Sequence, residues 1–294
     1  MVFSAKVSLK EMTKRSKYCL IGIPDDQGVQ NVGGRLGASK GPKAFRESFF
    51  SLKSRIAIQD LVIDGGDAPI DKLSIKETHF RVINFIQKAH EMHHRTMIIG
   101  GGHDHGYTHL VGVKKALEQN RKEIRLGCIN IDAHLDVRPA TPEITSGSPF
   151  YLALEDQTVL GEDLIEFGIQ PHCNQKDLFD YVNRHNVKVF ELKDLRGERY
   201  LKAFKKCLST LHKKCSAIVV QLDLDAIAMA HAPGVSAPQP DGFFPDQIIE
   251  IMRLCRQDPK VVSLGFFELN PVHDRDQATA KIAAVSAYSF LELA

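Results

Sequence analysis

The sequence has no run of about 20 apolar residues, the length a helix needs to cross a bilayer. Its N-terminus, MVFSAKVSLKEMTKRSK, is basic but has no continuous apolar stretch, so no secretory signal is expected. Neither sign of charge dominates: 38 basic residues face 36 acidic ones, for a net charge of +2. That balance gives no argument for nucleic acid or a membrane surface as a partner. No CxxC pair occurs among the six cysteines, Cys19, Cys128, Cys173, Cys207, Cys215 and Cys255. Scattered cysteines in a chain this long argue against a thiolate zinc site and read as reduced thiols in a cytosol. Internal repeats, low-complexity segments and domain linkers are missing too. A chain of 294 residues, 43% hydrophobic and 25% charged, then suits one soluble domain over residues 1–294.

What is present is an alternation of short apolar runs with amphipathic stretches. The runs Tyr18–Ile23, Leu61–Ile63, Thr96–Ile99, Leu126–Ile131, Ile165–Ile169, Val187–Phe190, Ala217–Leu224 and Val261–Leu269 predict strands. Most are nearly continuous in apolar residues, as expected of strands covered on both faces. Helices are predicted over Lys76–His93, Tyr107–Glu118, Lys176–Arg184, Tyr200–His212, Pro245–Arg256 and Asp276–Leu291. The segments Gly28–Gly41, Arg138–Pro149 and Ala228–Gly242 read as loops. The alternation predicts an α/β fold, a three-layer α/β/α domain on a mostly parallel sheet of eight strands. In such a sheet ligands bind beyond the carboxyl ends of the strands.

The unusual residues fall at those ends. Gly100-Gly101-Gly102-His103-Asp104-His105 follows Thr96–Ile99, and Asp132-Ala133-His134-Leu135-Asp136 follows Leu126–Ile131. Asp223-Leu224-Asp225 ends Ala217–Leu224. An extended backbone would point Asp132, His134 and Asp136 to one side. Asp223 and Asp225 repeat the i, i+2 spacing. Carboxylates this close repel one another and remain ionised together only with cations between them. Carboxylate and imidazole donors without thiolate suit Mn²⁺ or another octahedral divalent ion. Six donors from three loops can serve two ions about 3.5–4 Å apart, which lower the pKa of bound water and make metal-assisted hydrolysis the expected chemistry.

These motifs resemble those of the arginase/agmatinase/formimidoylglutamase superfamily, the ureohydrolases. The resemblance rests on His103 in its glycine setting, the Asp132-Ala133-His134-x-Asp136 signature and Asp223-x-Asp225. It runs from Gly22 to the last predicted helix. It implies an arginase-like fold and two manganese ions per subunit. One ion would be held by His103, Asp132, Asp136 and Asp223, the other by Asp132, His134, Asp223 and Asp225. It also implies that Glu268, in Phe266-Phe267-Glu268-Leu269-Asn270-Pro271, binds the amidine or guanidine group of a small-molecule substrate. By family analogy the protein would form a trimer or hexamer, and its scattered thiols suit the cytoplasm.

Departures from arginase point to one branch. Gly102 and Asp104 flank His103 where arginase has Asp and Ser. Phe150 stands where arginase keeps a proton-shuttle histidine. Cys173 falls near the acid that meets arginine's ammonium group, and Gln221 replaces a usual Ser or Thr. The replacements look like formimidoylglutamase, which hydrolyses N-formimino-L-glutamate to L-glutamate and formamide in histidine breakdown. Arg138 would then bind a substrate carboxylate bidentately. Ser146 and Asn174 are further expected substrate contacts, and Asp136 or metal-bound solvent is expected to protonate the leaving group. Agmatine, a guanidino acid or arginine as substrate, and a non-catalytic arginase-like protein, are the alternatives.

Overall fold

The structure is a computed structural model that describes residues 18–55, 57–70, 73–93, 95–119 and 123–291. Both ends of the expected domain, residues 1–17 and 292–294, lie outside the described residues. The eight apolar runs become eight strands: β1 (Tyr18–Gly22), β2 (Val62–Asp67), β3 (Thr96–Ile99), β4 (Leu126–Ile131), β5 (Leu164–Ile169), β6 (Lys188–Glu191), β7 (Ala217–Asp223) and β8 (Val261–Phe267). They form one all-parallel sheet in the order β2-β1-β3-β8-β7-β4-β5-β6. Every residue of β1, β3, β4, β5 and β7 is buried, whereas the edge strands β2 and β6 are mostly half-exposed.

The helices are α1 (Gln27–Asn31), α2 (Gly41–Phe49), α3 (Ile58–Leu61), α4 (Ile75–His93), α5 (His105–Glu118), α6 (Pro149–Glu155), α7 (Lys176–Arg184), α8 (Arg199–Lys214), α9 (Pro245–Gln257) and α10 (Ala278–Leu291). Strand residues alternate between two apolar clusters. Leu20, Ile129, Val220 and Leu264 pack with side chains of α2, α8, α9 and α10. Cys19, Ile98, Cys128 and Val219 pack with α4, α5, α6 and α7. The sheet is therefore the middle of three layers.

Where sequence and structure differ, the reasons are local. The Gly-rich segment contains α1, and α2 follows it. Helix α2 opens with Gly41-Pro42 in its first turn, and its large buried side chains are Phe45 and Phe49, stacked 5.2 Å apart. Helices α1, α3 and α6, at seven residues or fewer, are too short to show a period. Strand β2 runs on through polar Asp64-Gly65-Gly66-Asp67, because the Arg46 guanidinium of α2 binds Asp64 at 2.8 Å and Asp67 at 2.6 Å.

Candidate metal centre

The sequence-marked residues follow β3, β8, β7 and β4, four neighbours at the centre of the sheet. Register makes their ends level: Ile131 pairs with Leu222, Asp223 with Phe267, and Ile99 with Phe266. His103, Asp132, Asp223 and Glu268 therefore emerge side by side. The ligand loops are not extended, contrary to the pleat expected from the i, i+2 spacing. Strand β4 stops at Ile131, and the Asp132 carboxylate turns the chain by accepting the His134 N–H at 2.7 Å. Asp223 does the same with the Asp225 N–H at 2.9 Å. Asp136 then lies in the left-handed region at φ 47°, as does Glu268 at φ 65°. The turns bring about the convergence that sequence spacing had assigned to a strand.

Two donor sets result. His103 Nδ1 lies 3.1 Å from Asp132, 2.9 Å from Asp136 and 3.1 Å from Asp223. His134 Nδ1 lies 3.1 Å from Asp225 and 3.5 Å from the other oxygen of Asp132. Burial pulls the His103 imidazole down, but the carboxylates of Asp132, Asp136 and Asp223 outweigh it and raise it well above the usual range. Burial, with the Asp225 and Asp132 carboxylates, pushes Asp223 well up. Burial likewise lifts Asp225, to about 6, against the opposing pull of His134. Both shifts come from negative charge crowded in a dry site, which a cation between the carboxylates would relieve.

The donor geometry fits metal ions. His103 Nδ1 makes no hydrogen bond although three carboxylate oxygens surround it, and Asp225 Oδ1 is equally unpartnered. The outer ring nitrogen of His103 is held at 3.2 Å by Gln221 Oε1, whose amide in turn donates to Gly106 O. Gln221 accepts the Nε2–H, which leaves Nδ1 as the nitrogen a cation among the carboxylates would use. Nitrogen and oxygen donors without thiolate match Mn²⁺-type ions.

A cavity of about 70 Å³ opens onto this cluster. His103, His134, Asp136, Asp223, Asp225, Glu268, Arg138 and Ser146 all line it, together with Ser236, which sequence reasoning missed. Glu268 is buried and accepts the His103 N–H at 2.8 Å and the Ser236 hydroxyl. Burial, then the Asp223 carboxylate, raises it well above the carboxylate range. The Arg138 guanidinium forms no ion pair among the described residues, and it lies so close to Gly147 that a Cβ there would sit 2.9 Å from its chain. Asn174 is not in the cavity. Its amide is spent on backbone, accepting from Leu135 N at 2.8 Å and donating to Ala133 O and Gln170 O, so it braces the Asp132–Asp136 loop. Phe150 is fully buried and meets the His103 ring edge-on at 5.7 Å. Asp104 and His105 form a separate buried network with His79 and Asp25.

A sequence model of the Arginase family matches residues 16–292 of this chain. The chain belongs to the arginase family. Among its arginase-family relatives, the formimidoylglutamase of Staphylococcus carnosus is 31% identical over 281 residues, covering 96% of this chain and 88% of that one. The crystal structure of formimidoylglutamase from Bacillus subtilis superposes with a TM-score of 0.86 at 26% identity, covering 95% and 87% of the two chains. A Trypanosoma cruzi formiminoglutamase solved with Mn²⁺ gives a TM-score of 0.82 at 26% identity, covering 94% and 92%. The arginase-like fold is thus established, and among the described residues no helix is long and apolar enough to cross a membrane.

Proposed function

We propose that this chain is a formimidoylglutamase that hydrolyses N-formimino-L-glutamate to L-glutamate and formamide with two bound manganese ions. The observation that carries the reading is the double donor set in which one oxygen of Asp132 faces His103 and the other faces His134. Glu268 stands beside it in the same cavity. When bound, the two ions supply a water of lowered pKa and a Lewis-acid centre. His103, Asp132, Asp136 and Asp223 would hold one ion, and His134 and Asp225 would hold the other with Asp132 and Asp223.

The protein's own residues bind and orient the substrate. Glu268 holds the cationic formimino group, its backbone fixed at positive φ and its oxygens aimed by His103 N–H and Ser236. Arg138 takes a carboxylate of the glutamate body, and Ser146, which lines the same cavity, is a further polar contact. Water adds to the formimino carbon, the bond to the glutamate nitrogen breaks, and that nitrogen leaves with a proton. Asp136 lines the cavity and is the residue we assign to carry that proton, since Phe150 has no group to do so. We place the enzyme in the cytoplasm, which its six free thiols support, and as a homo-oligomer by family analogy.

Manganese-reconstituted protein should release formamide and glutamate in equal amounts, and metal-stripped protein neither. Formamide release that persists unchanged after the metal is stripped would overturn the reading.

A further inference from the structure

One layer beneath the ligands the sheet is polar where it should be apolar. Register aligns Glu166 of β5 with Asn130 of β4, and Asn130 with Gln221 of β7. All three are fully buried, on the face where Cys128, Leu164 and Val219 are apolar. A parallel strand covered on both faces has no use for such residues, and each buried polar group without a partner is costly. Gln221 is accounted for by its bond to His103. Asn130 is accounted for in part: its amide donates to Asp132 Oδ2 at 3.2 Å and to Glu166 Oε2 at 2.9 Å. Glu166 makes no hydrogen bond to a metal donor. Its Oε1 is buried with no partner, and no described basic residue pairs with it. Burial pushes it well above the carboxylate range, with Asn130 opposing.

We infer that Glu166 is a positioning residue that fixes the Asn130 amide, through which it sets the angle of the Asp132 carboxylate. The angle matters because Asp132 offers one oxygen to each donor set, so a rotation disturbs both. The inference rests on the two-manganese reading of the site above. Gln keeps an oxygen that can accept from Asn130 at nearly the same size, whereas Leu is apolar. Partners of this outer kind typically cost about 10- to 100-fold in metal affinity when removed.

The test is Mn²⁺ titration of the metal-stripped full chain, followed by electron paramagnetic resonance, with urea unfolding of the same samples. Glu166→Leu should weaken Mn²⁺ binding about 10- to 100-fold and lose the spin-coupled signal of the ion pair. Glu166→Gln should restore both. The urea curves separate lost metal binding from lost fold, because Leu removes a buried unpaired oxygen but also leaves an Asn130 N–H without its acceptor. Should Glu166→Leu not fold, the double variant Asn130→Leu/Glu166→Leu removes both polar partners together. It should fold and bind Mn²⁺ no more weakly than Asn130→Leu alone. Wild-type Mn²⁺ affinity in Glu166→Leu, or a Glu166→Gln protein as impaired as Glu166→Leu, overturns the inference. A wild-type chain that binds no Mn²⁺ overturns the functional reading instead.

Discussion

Replacing Glu268 by Gln removes a charge and little else. The carboxylate of Glu268 accepts the buried His103 N–H on one oxygen and the Ser236 hydroxyl on the other. Gln keeps one acceptor oxygen for the His103 N–H, so the turn and the cluster remain in place. What is lost is the ionic partner of the formimino group. A hydrogen bond to a charged group is worth about 1.5–3 kcal/mol, which is about 10- to 150-fold in rate. The contact strengthens as charge gathers on the group in the transition state, so kcat falls more than KM rises. Glu268→Ala differs instructively: it also leaves the His103 N–H buried without an acceptor, at a cost of about 1–3 kcal/mol in stability. The assay is formamide release at saturating and limiting formiminoglutamate, with manganese content and thermal midpoint recorded for both variants. A Glu268→Gln enzyme with two ions bound and kcat equal to the wild type would refute the role given to Glu268.

Asp132→Ala or Asp223→Ala should lose both ions and nearly all activity, whereas His103→Ala should mainly empty one position; elemental analysis checks each. Arg138→Ala should raise KM about 10- to 150-fold with kcat little changed, for the loss of one charge-assisted pair of about 1.5–3 kcal/mol; a variant with wild-type KM would remove Arg138 from the substrate site. His109, fully buried and bonded to Ser263 at 2.7 Å, is pushed down by burial from 6.5 to about 3. Between those values the unfolded chain binds the extra proton, so this group makes stability fall as pH drops, by up to about 1.4 kcal/mol per pH unit. Urea unfolding at several acid pH values should show a shallower slope in His109→Gln.

Much of this site could be read from the chain because its donors are rare residue types at fixed spacing. Asp132, His134, Asp136, Asp223 and Asp225 stand out against the apolar strands before them, and strands buried on both faces declare themselves. The geometry could not be read. Nothing in Asp136 or Glu268 announces a left-handed backbone, since neither is glycine. The supporting residues were hidden for another reason. Gln221 and Asn130 sit inside strands and Ser236 inside a long loop, so only register and contact reveal what each holds. Asn174 shows the reverse, a residue in a promising loop whose amide is consumed by backbone. Helices α1, α3 and α6 escaped because a helix of seven residues or fewer has no room for a period.

The central claim is tested most directly by kcat/KM for formiminoglutamate, agmatine and arginine on one manganese-loaded preparation, with formamide, urea and ammonia followed separately. The account predicts that formiminoglutamate is by far the best substrate and that formamide is the nitrogen product. A higher kcat/KM for arginine or agmatine, with urea released, would contradict it.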